Sequence, residues 1–79
     1  MVFDGAQAIT QTSDMKIWVV WEKDVDGYHA IYYTVSSDYG ASWSTETNLT
    51  KVPSIDQNSD PSIIQISNGD IWVVWTALK

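Results

Sequence analysis

The sequence contains no cysteine and no arginine, and each absence removes a class of function. Without cysteine, no disulfide can crosslink the fold and no thiolate can act as a nucleophile or a zinc ligand. Arginine is the side chain that most often grips carboxylates and phosphates with two parallel hydrogen bonds. Stability must therefore come from packing or from partners, and the usual device for binding acidic ligands is missing.

Positive charge is also scarce, because four basic residues face ten acidic ones and the net charge at pH 7 is −6. Such a charge repels phosphate backbones and anionic lipid headgroups. The N-terminus lacks the basic region and apolar run of a signal peptide, and no apolar stretch is long enough to span a bilayer. We therefore expect neither nucleic acid nor a membrane as a partner.

Aromatic residues are plentiful, at 13% of the 79 residues, and five of them are tryptophans. Large aromatic side chains in short segments suit the face of a β-sheet. A chain of this size buries only about 60% of the surface that its unfolded form exposes. The composition favours a small β-structure with a thin core.

An internal repeat organises the chain. The run IWVVW at residues 17–21 recurs at 71–75, 54 positions later, and three single residues match at the same offset: Ile9 with Ile63, Gln11 with Gln65, and Ser13 with Ser67. In each run apolar side chains point to both faces of a strand, so we expect cover on both sides. The repeat also predicts equivalent, mostly buried environments for Trp18 and Trp72.

Turn signals divide the chain into six predicted strands. The turns lie at residues 13–15, 23–27, 38–40 and 67–70, where the last contains the Asn-Gly pair of a tight hairpin. Lys51 to Asp60 is predicted to be a loop, because prolines mark its neighbourhood. The predicted strands are residues 7–12, 16–22, 29–36, 44–49, 62–67 and 70–77, of which 44–49 is a polar edge strand.

Four strands that repeat every 40 to 50 residues are typical of propeller blades, although a lone six-stranded sandwich is the alternative. The predicted fold is all-β: an antiparallel four-stranded propeller blade at residues 1–57, followed at 58–79 by the first hairpin of a second blade. Strands three and four of that second blade are absent.

Residues 36–43 fit the pattern S-x-D-x-G-x-[ST]-W at every specified position, through Ser36, Asp38, Gly40, Ser42 and Trp43. An aspartate can accept backbone N–H groups across a tight turn, and a glycine can supply positive φ. With this motif between its third and fourth strands, the chain resembles the Asp-box (BNR) repeat propellers, the superfamily that includes sialidases. The resemblance implies that these five residues are structural and lie away from the ligand-binding face.

Sialidase activity is not expected, although the resemblance leaves open a fragment of a sialidase-like glycoside hydrolase. Those enzymes hold the sugar carboxylate with three arginines and pair a tyrosine nucleophile with a glutamate, whereas this chain has no arginine and only Glu22 and Glu46. One and a half blades cannot enclose a central pocket. We predict no catalytic residue, and hence no enzyme.

Two further segments are candidate sites. Residues 24–27, Asp-Val-Asp-Gly, resemble the start of a calcium loop but lack its later ligands, so a hairpin turn is favoured. His29 is the only histidine and cannot form a zinc site without other ligands; we expect it on the surface at the start of a strand. No metal and no cofactor are predicted.

Two functions follow. The first is a non-catalytic propeller module that acts as a structural or interaction scaffold, either by homo-oligomerisation or as part of a longer propeller. The second is a lectin-like module that binds carbohydrate through exposed aromatic residues. The strand at Ile71 to Trp75 should have an unpaired edge that joins a second chain. The resemblance alone suggests an extracellular or periplasmic location.

Overall fold

A computed structural model describes residues 6–25, 28–50 and 57–78. In these residues the regular secondary structure is all β-strand, so the all-β prediction is confirmed. Among them no helix is long and apolar enough to cross a membrane. The strands are β1 (Gln7–Gln11), β2 (Ile17–Val25), β3 (Tyr28–Ser36), β4 (Thr47–Asn48), β5 (Gln57–Gln65) and β6 (Ile71–Leu78).

The first sheet has the order β1-β2-β3-β4, and every neighbouring pair is antiparallel. Its central strand β2 carries the first IWVVW run, whose Val19, Val20 and Trp21 are all buried. Successive side chains of a strand point to opposite faces, so both faces of β2 are covered here, as predicted. Ala30 and Ile31 on β3 complete this core.

Two aromatic pairs reinforce the junction of β2 and β3 on opposite faces of the sheet. The rings of Trp18 and Tyr33 are stacked with their centroids 5.6 Å apart. On the other face, Trp21 lies 6.1 Å from Tyr32, its direct partner in the register. Pairs of this kind add stabilisation beyond the area they bury.

The second sheet contains β5 and β6, and β5 begins earlier than the sequence predicted. Residues 57–60, assigned to a loop, pair with the end of β6. The register then shifts between Ser59 and Ser62, where Asp60 has a positive φ of 53° and Pro61 has no N–H to donate to the ladder. This irregularity lets one strand continue past a proline that would otherwise end it.

The fourth strand is shorter than predicted, with only Thr47 and Asn48 paired to β3. Before Thr47, one backbone bond and two side-chain hydrogen bonds connect the link to β3 in place of a regular ladder. Ser44 N–H donates to the Val35 carbonyl at 2.9 Å, Ser44 Oγ accepts from Val35 N–H at 3.0 Å, and Thr34 Oγ1 donates to the Ser44 carbonyl at 2.7 Å. Hydroxyls compete with the backbone in this way, and the predicted strand 44–49 is therefore irregular.

The two hairpins β1–β2 and β5–β6 have the same local structure. Their registers coincide at the 54-residue offset: Thr10 pairs with Trp18 as Ile64 pairs with Trp72. Their turns share a backbone bond, which runs from Met15 N–H to the Thr12 carbonyl and, in the second copy, from Gly69 N–H to the Ile66 carbonyl, both at 2.9 Å. The repeat in the sequence is thus a repeat in backbone structure.

The residue that closes each turn has positive φ, 69° at Met15 and 94° at Gly69. Asn68 does not share it, so the Asn-Gly pair does not form the two-residue turn that the sequence suggested. Each loop has three residues, the last of them in the left-handed region, which is the next most common hairpin connection. Asp14 Oδ1 and Asn68 Oδ1 accept the N–H of the residue two positions on, at 3.3 Å and 3.0 Å.

β5 lies across one face of the first sheet, in contact with β1, β2 and β3. The side chains of β1 show which face this is. Ala8 and Thr10 are half-buried, whereas Gln7, Ile9 and Gln11 on the other side are exposed. Since β5 contacts β1 and leaves the Ile9 side open, it covers the side of Ala8 and Thr10.

Residues directly opposite each other in antiparallel strands share a face. Trp18 and Val20, the partners of Thr10 and Ala8, therefore lie on the face that β5 covers, and Val20 has no exposed surface. Their counterparts Trp72 and Val74 are 57% and 59% exposed. The predicted equivalence of Trp18 and Trp72 is wrong, because the second hairpin has no neighbour on the corresponding face among the described residues.

Candidate functional site

Four residues of the motif at 36–43, namely Ser36, Asp38, Gly40 and Ser42, are hydrogen-bonded to one another at the start of the link between β3 and β4. Ser36 Oγ donates to Asp38 Oδ1 at 2.7 Å and accepts Gly40 N–H at 2.8 Å. The two Asp38 oxygens accept from both ends of Ser42: the backbone N–H at 2.9 Å and the hydroxyl at 2.5 Å. The turn is therefore crosslinked by its own side chains.

These bonds stabilise the ionised form of Asp38. The Ser42 hydroxyl is the largest cause, followed by the Ser42 N–H and the Ser36 hydroxyl, and together they lower the pKa of Asp38 from 3.8 to about 2. A carboxylate that accepts several hydrogen bonds keeps its charge to lower pH. Asp38 is thus an acceptor that holds a turn.

Backbone conformation accounts for two other positions in the turn. Tyr39 and Gly40 both have positive φ, 58° and 89°. A Cβ at Gly40 would lie 3.7 Å from the Trp43 ring, which is ordinary van der Waals contact. The glycine is needed for its φ, and the half-buried Trp43 packs close to it.

The two glutamates bind cationic or histidine partners. Glu22 Oε2 lies 2.8 Å from His29 Nδ1, and Glu46 pairs with Lys23, whose ammonium lies 4.9 Å from the centroid of the Tyr32 ring. His29 is the second residue of β3 and is partly exposed, close to its predicted position. Glu22 therefore links the neighbouring strands β2 and β3, and Glu46, just before β4, is paired with a lysine of β2.

The acidic segment at residues 24–27 falls only partly within the described chain. Asp24 is exposed and lies near the β2–β3 connection, while residues 26–27 lie outside the described residues. In the ranges 6–25, 28–50 and 57–78, no three acidic, histidine or cysteine side chains come together as a group that could hold a metal ion.

One surface feature was missed by the sequence analysis: three exposed apolar side chains on one face of the second sheet, which we call the open face. Ile64 pairs directly with Trp72, and Val74 follows on the same side of β6; their exposures are 59%, 57% and 59%. The opposite face, with Ile63, is turned toward the first sheet. The run at residues 71–75 is apolar on both faces, so one face stays exposed wherever no neighbouring unit packs on it.

Comparisons with family models, with curated proteins and with solved structures found no match to this chain. The likeness to Asp-box proteins accordingly rests on residues 36–43 and on the repeated strands.

Proposed function

We propose that this chain is a non-catalytic β-propeller module, one blade and half of the next, that serves as a structural or interaction scaffold and assembles with further copies. The open face carries the proposal. Three neighbouring large apolar side chains, each more than half exposed, are a costly surface for a small acidic protein to leave in water. Covering them would add hydrophobic stabilisation of about 25 cal/mol per Å² of apolar surface buried.

The edge of the second sheet supports the same proposal. β6 pairs with β5 alone among the described strands, so the N–H and C=O groups along its far side have no strand partner there. Charged or proline residues commonly protect such an edge. From Ile71 to Leu78 the strand contains neither, and its side chains are mostly apolar.

The Asp-box residues enter the proposal as fold determinants. Their contacts are with one another, and Asp38 uses both carboxylate oxygens within the turn. A side chain whose acceptors are occupied in this way has little capacity left for a ligand. We therefore assign Ser36, Asp38, Gly40, Ser42 and Trp43 to holding the third and fourth strands together.

Carbohydrate binding is the second candidate, and Trp72 is the observation that favours it. An exposed indole can stack on the apolar face of a sugar ring. Its neighbours on the open face, Ile64 and Val74, are aliphatic, whereas sugar hydroxyls also need polar groups beside the ring. The open face therefore fits another protein surface better than it fits a glycan.

Light scattering coupled to size-exclusion chromatography tests the first proposal. We expect a molar mass above 8.9 kDa at micromolar concentration and above, falling toward that value on dilution. The Trp72→Ser variant should need a higher concentration to associate. Tyr39→Ser, which removes another exposed aromatic from the Asp-box turn, is the matched control and should associate like the wild type. A monomer at all concentrations would overturn the proposal.

A further inference from the structure

Three side-chain hydrogen bonds, made by Asn58 and Gln65 of β5, hold the second hairpin on the first sheet, and a fourth, from Trp75, fixes Asn58 within the hairpin. Asn58 Nδ2 donates to the His29 carbonyl at 3.0 Å, and Trp75 Nε1 donates to Asn58 Oδ1 at 3.1 Å. At the other end of β5, the Gln65 amide binds Ser13 twice: Oε1 accepts Ser13 N–H at 2.7 Å, and Nε2 donates to Ser13 Oγ at 3.3 Å. One glutamine of the second hairpin thus contacts the turn of the first.

The repeat contains both partners of this contact in both copies. Gln65 corresponds to Gln11, and Ser13 corresponds to Ser67, each at the offset of 54 residues. Only one glutamine and one serine are used within the chain. Gln11 and Ser67 are exposed, and neither side chain has a hydrogen-bond partner in the described ranges. The two residues that are not used in this way, Gln11 and Ser67, lie on different hairpins.

The apolar faces divide in the same way. The first hairpin has its Trp18 face covered by β5. On its other side Val19 and Trp21 of β2 are buried, but β1 exposes Ile9, at 67%, together with Gln7 and Gln11. The second hairpin turns Ile63, the counterpart of Ile9, toward the first sheet and exposes the Trp72 face. Strand β1 therefore exposes the side that its counterpart β5 buries, and the second hairpin exposes the side that the first one buries.

We propose that a second copy of this chain stacks on the open face head to tail, so that its Gln11 binds the turn at Ser67 and its Ile9 side covers Trp72. The packing within the chain is the template, since the same two surfaces already meet there. This proposal deepens the scaffold function and rests on it. It commits to a heterologous contact, in which two different surfaces meet and further copies can add.

The competing arrangement is a two-fold dimer in which β6 pairs with β6 of another chain. That contact uses the same surface twice, so residues at one site would meet themselves. It would not bring Gln11 of one chain to Ser67 of another. The two arrangements can therefore be separated by which residue pairs come close.

Cysteine trapping distinguishes them, and the absence of native cysteine makes every crosslink assignable. Gln11→Cys and Ser67→Cys chains of different mass are mixed and treated with a short bismaleimide. We expect the mixed product, with one chain of each variant, to dominate over either homodimer. A double variant, Ser13→Cys with Gln65→Cys, crosslinks within one chain and shows that the reagent spans this contact. Ser37→Cys, exposed on the Asp-box turn, replaces Gln11→Cys in the negative control.

A binding measurement on the same contact supplies a second readout. Gln11→Ala removes the glutamine amide and should weaken self-association about fivefold, the loss expected for one hydrogen bond of about 1 kcal/mol. Ser37→Ala removes an exposed hydroxyl in the link after β3, outside both proposed surfaces, and should leave the association constant unchanged.

The outcomes separate this inference from the function on which it rests. A chain that is monomeric by light scattering would overturn both. A chain that associates but yields mainly homodimers of the Ser67→Cys variant, or that is unaffected by Gln11→Ala, would overturn the head-to-tail contact and leave self-assembly standing. Dominant mixed crosslinks together with a weakened Gln11→Ala variant would support the inference.

Discussion

The hairpins β1–β2 and β5–β6 share a sequence run, a strand register and a turn, yet they differ in burial. Val20 has no exposed surface, whereas its counterpart Val74 is 59% exposed. Local structure follows from local sequence in both copies. Burial follows from the neighbours: β3 on one edge and β5 on one face for the first hairpin, and neither of these for the second among the described strands.

The comparison shows that a repeat unit of this kind does not contain its own core. Each hairpin is apolar on both faces and needs a unit on either side, as expected for repeat architectures. A hairpin without one of these neighbours must leave a face uncovered or cover it with another molecule.

The largest expected effect contrasts the two valines. Val20→Ala removes buried methyl groups and should lower the free energy of unfolding by about 2 kcal/mol. The equivalent Val74→Ala should change the stability of the monomer by less than about 0.5 kcal/mol, because that side chain is already in water. Urea denaturation at a concentration low enough to keep the chain monomeric measures both. Equal losses would contradict the difference in burial.

A second contrast concerns the hydrogen-bonded turn at residues 36–43, which follows β3 and has no counterpart in the second sheet among the described residues. Gly40→Val places a β-branched residue at a φ of 89° and should cost about 2 kcal/mol. Ala41→Val, at the exposed neighbouring position, is the control and should be nearly neutral. Thermal unfolding of the two variants compares them, and a Gly40→Val melting temperature equal to that of the wild type would argue against the turn as a structural lock.

The two turns differ in the residue at the position of positive φ, which is Met15 in one and Gly69 in the other. Replacing the methionine by glycine and the glycine by alanine should change the stability in opposite directions. Gly69→Ala forces a Cβ into the left-handed region and should destabilise by about 1 kcal/mol. Met15→Gly relieves the same strain and should stabilise by about 0.5 kcal/mol, since part of the gain is lost to the flexibility of glycine when unfolded. If both substitutions shifted the urea midpoint in the same direction, the turns would not be equivalent.

The smallest effect is a pH dependence of the Asp box. The pKa of Asp38 is about 2 in the folded state against 3.8 ordinarily, so the folded state favours the ionised carboxylate. Its contribution is fully present above the unfolded pKa and disappears as pH falls from about 4 toward 2. Melting temperatures of the wild type and Asp38→Asn should therefore converge across this window. A constant difference between them would contradict the lowered pKa.

Much of the local structure could be predicted from the sequence, because it depends on short-range patterns. The repeat, the antiparallel hairpins and the turn at residues 13–15 follow from strand periodicity and turn residues. The start of β5 could not be predicted, since Pro61 reads as a break and only the contacts of Asn58 with His29 and Trp75 show why the strand continues.

The two candidate sites, the motif at residues 36–43 and the open face, differ in the same way: the first depends on local sequence and the second on neighbouring elements. The motif at residues 36–43 is local, and its hydrogen bonds agree with what the residue types can do. The open face is exposed because no described element packs on it. The run at residues 71–75 is identical to the run at 17–21, so the sequence of the run does not predict which of the two is covered. Identical side chains therefore led to a wrong expectation for Trp72.

The most direct test of this account compares Trp18 with Trp72 in one sample. The chain is labelled with 5-fluorotryptophan, the fluorine resonances are assigned with Trp18→Phe and Trp72→Phe variants, and their shifts between H₂O and D₂O are measured over a range of protein concentrations. We expect a large solvent shift for Trp72 at low concentration that decreases as the chain associates, and a small, constant shift for Trp18, whose Nε1 is buried. A Trp72 shift that stays large at every concentration, while the protein associates, would contradict the claim that the open face is the surface that a second copy covers.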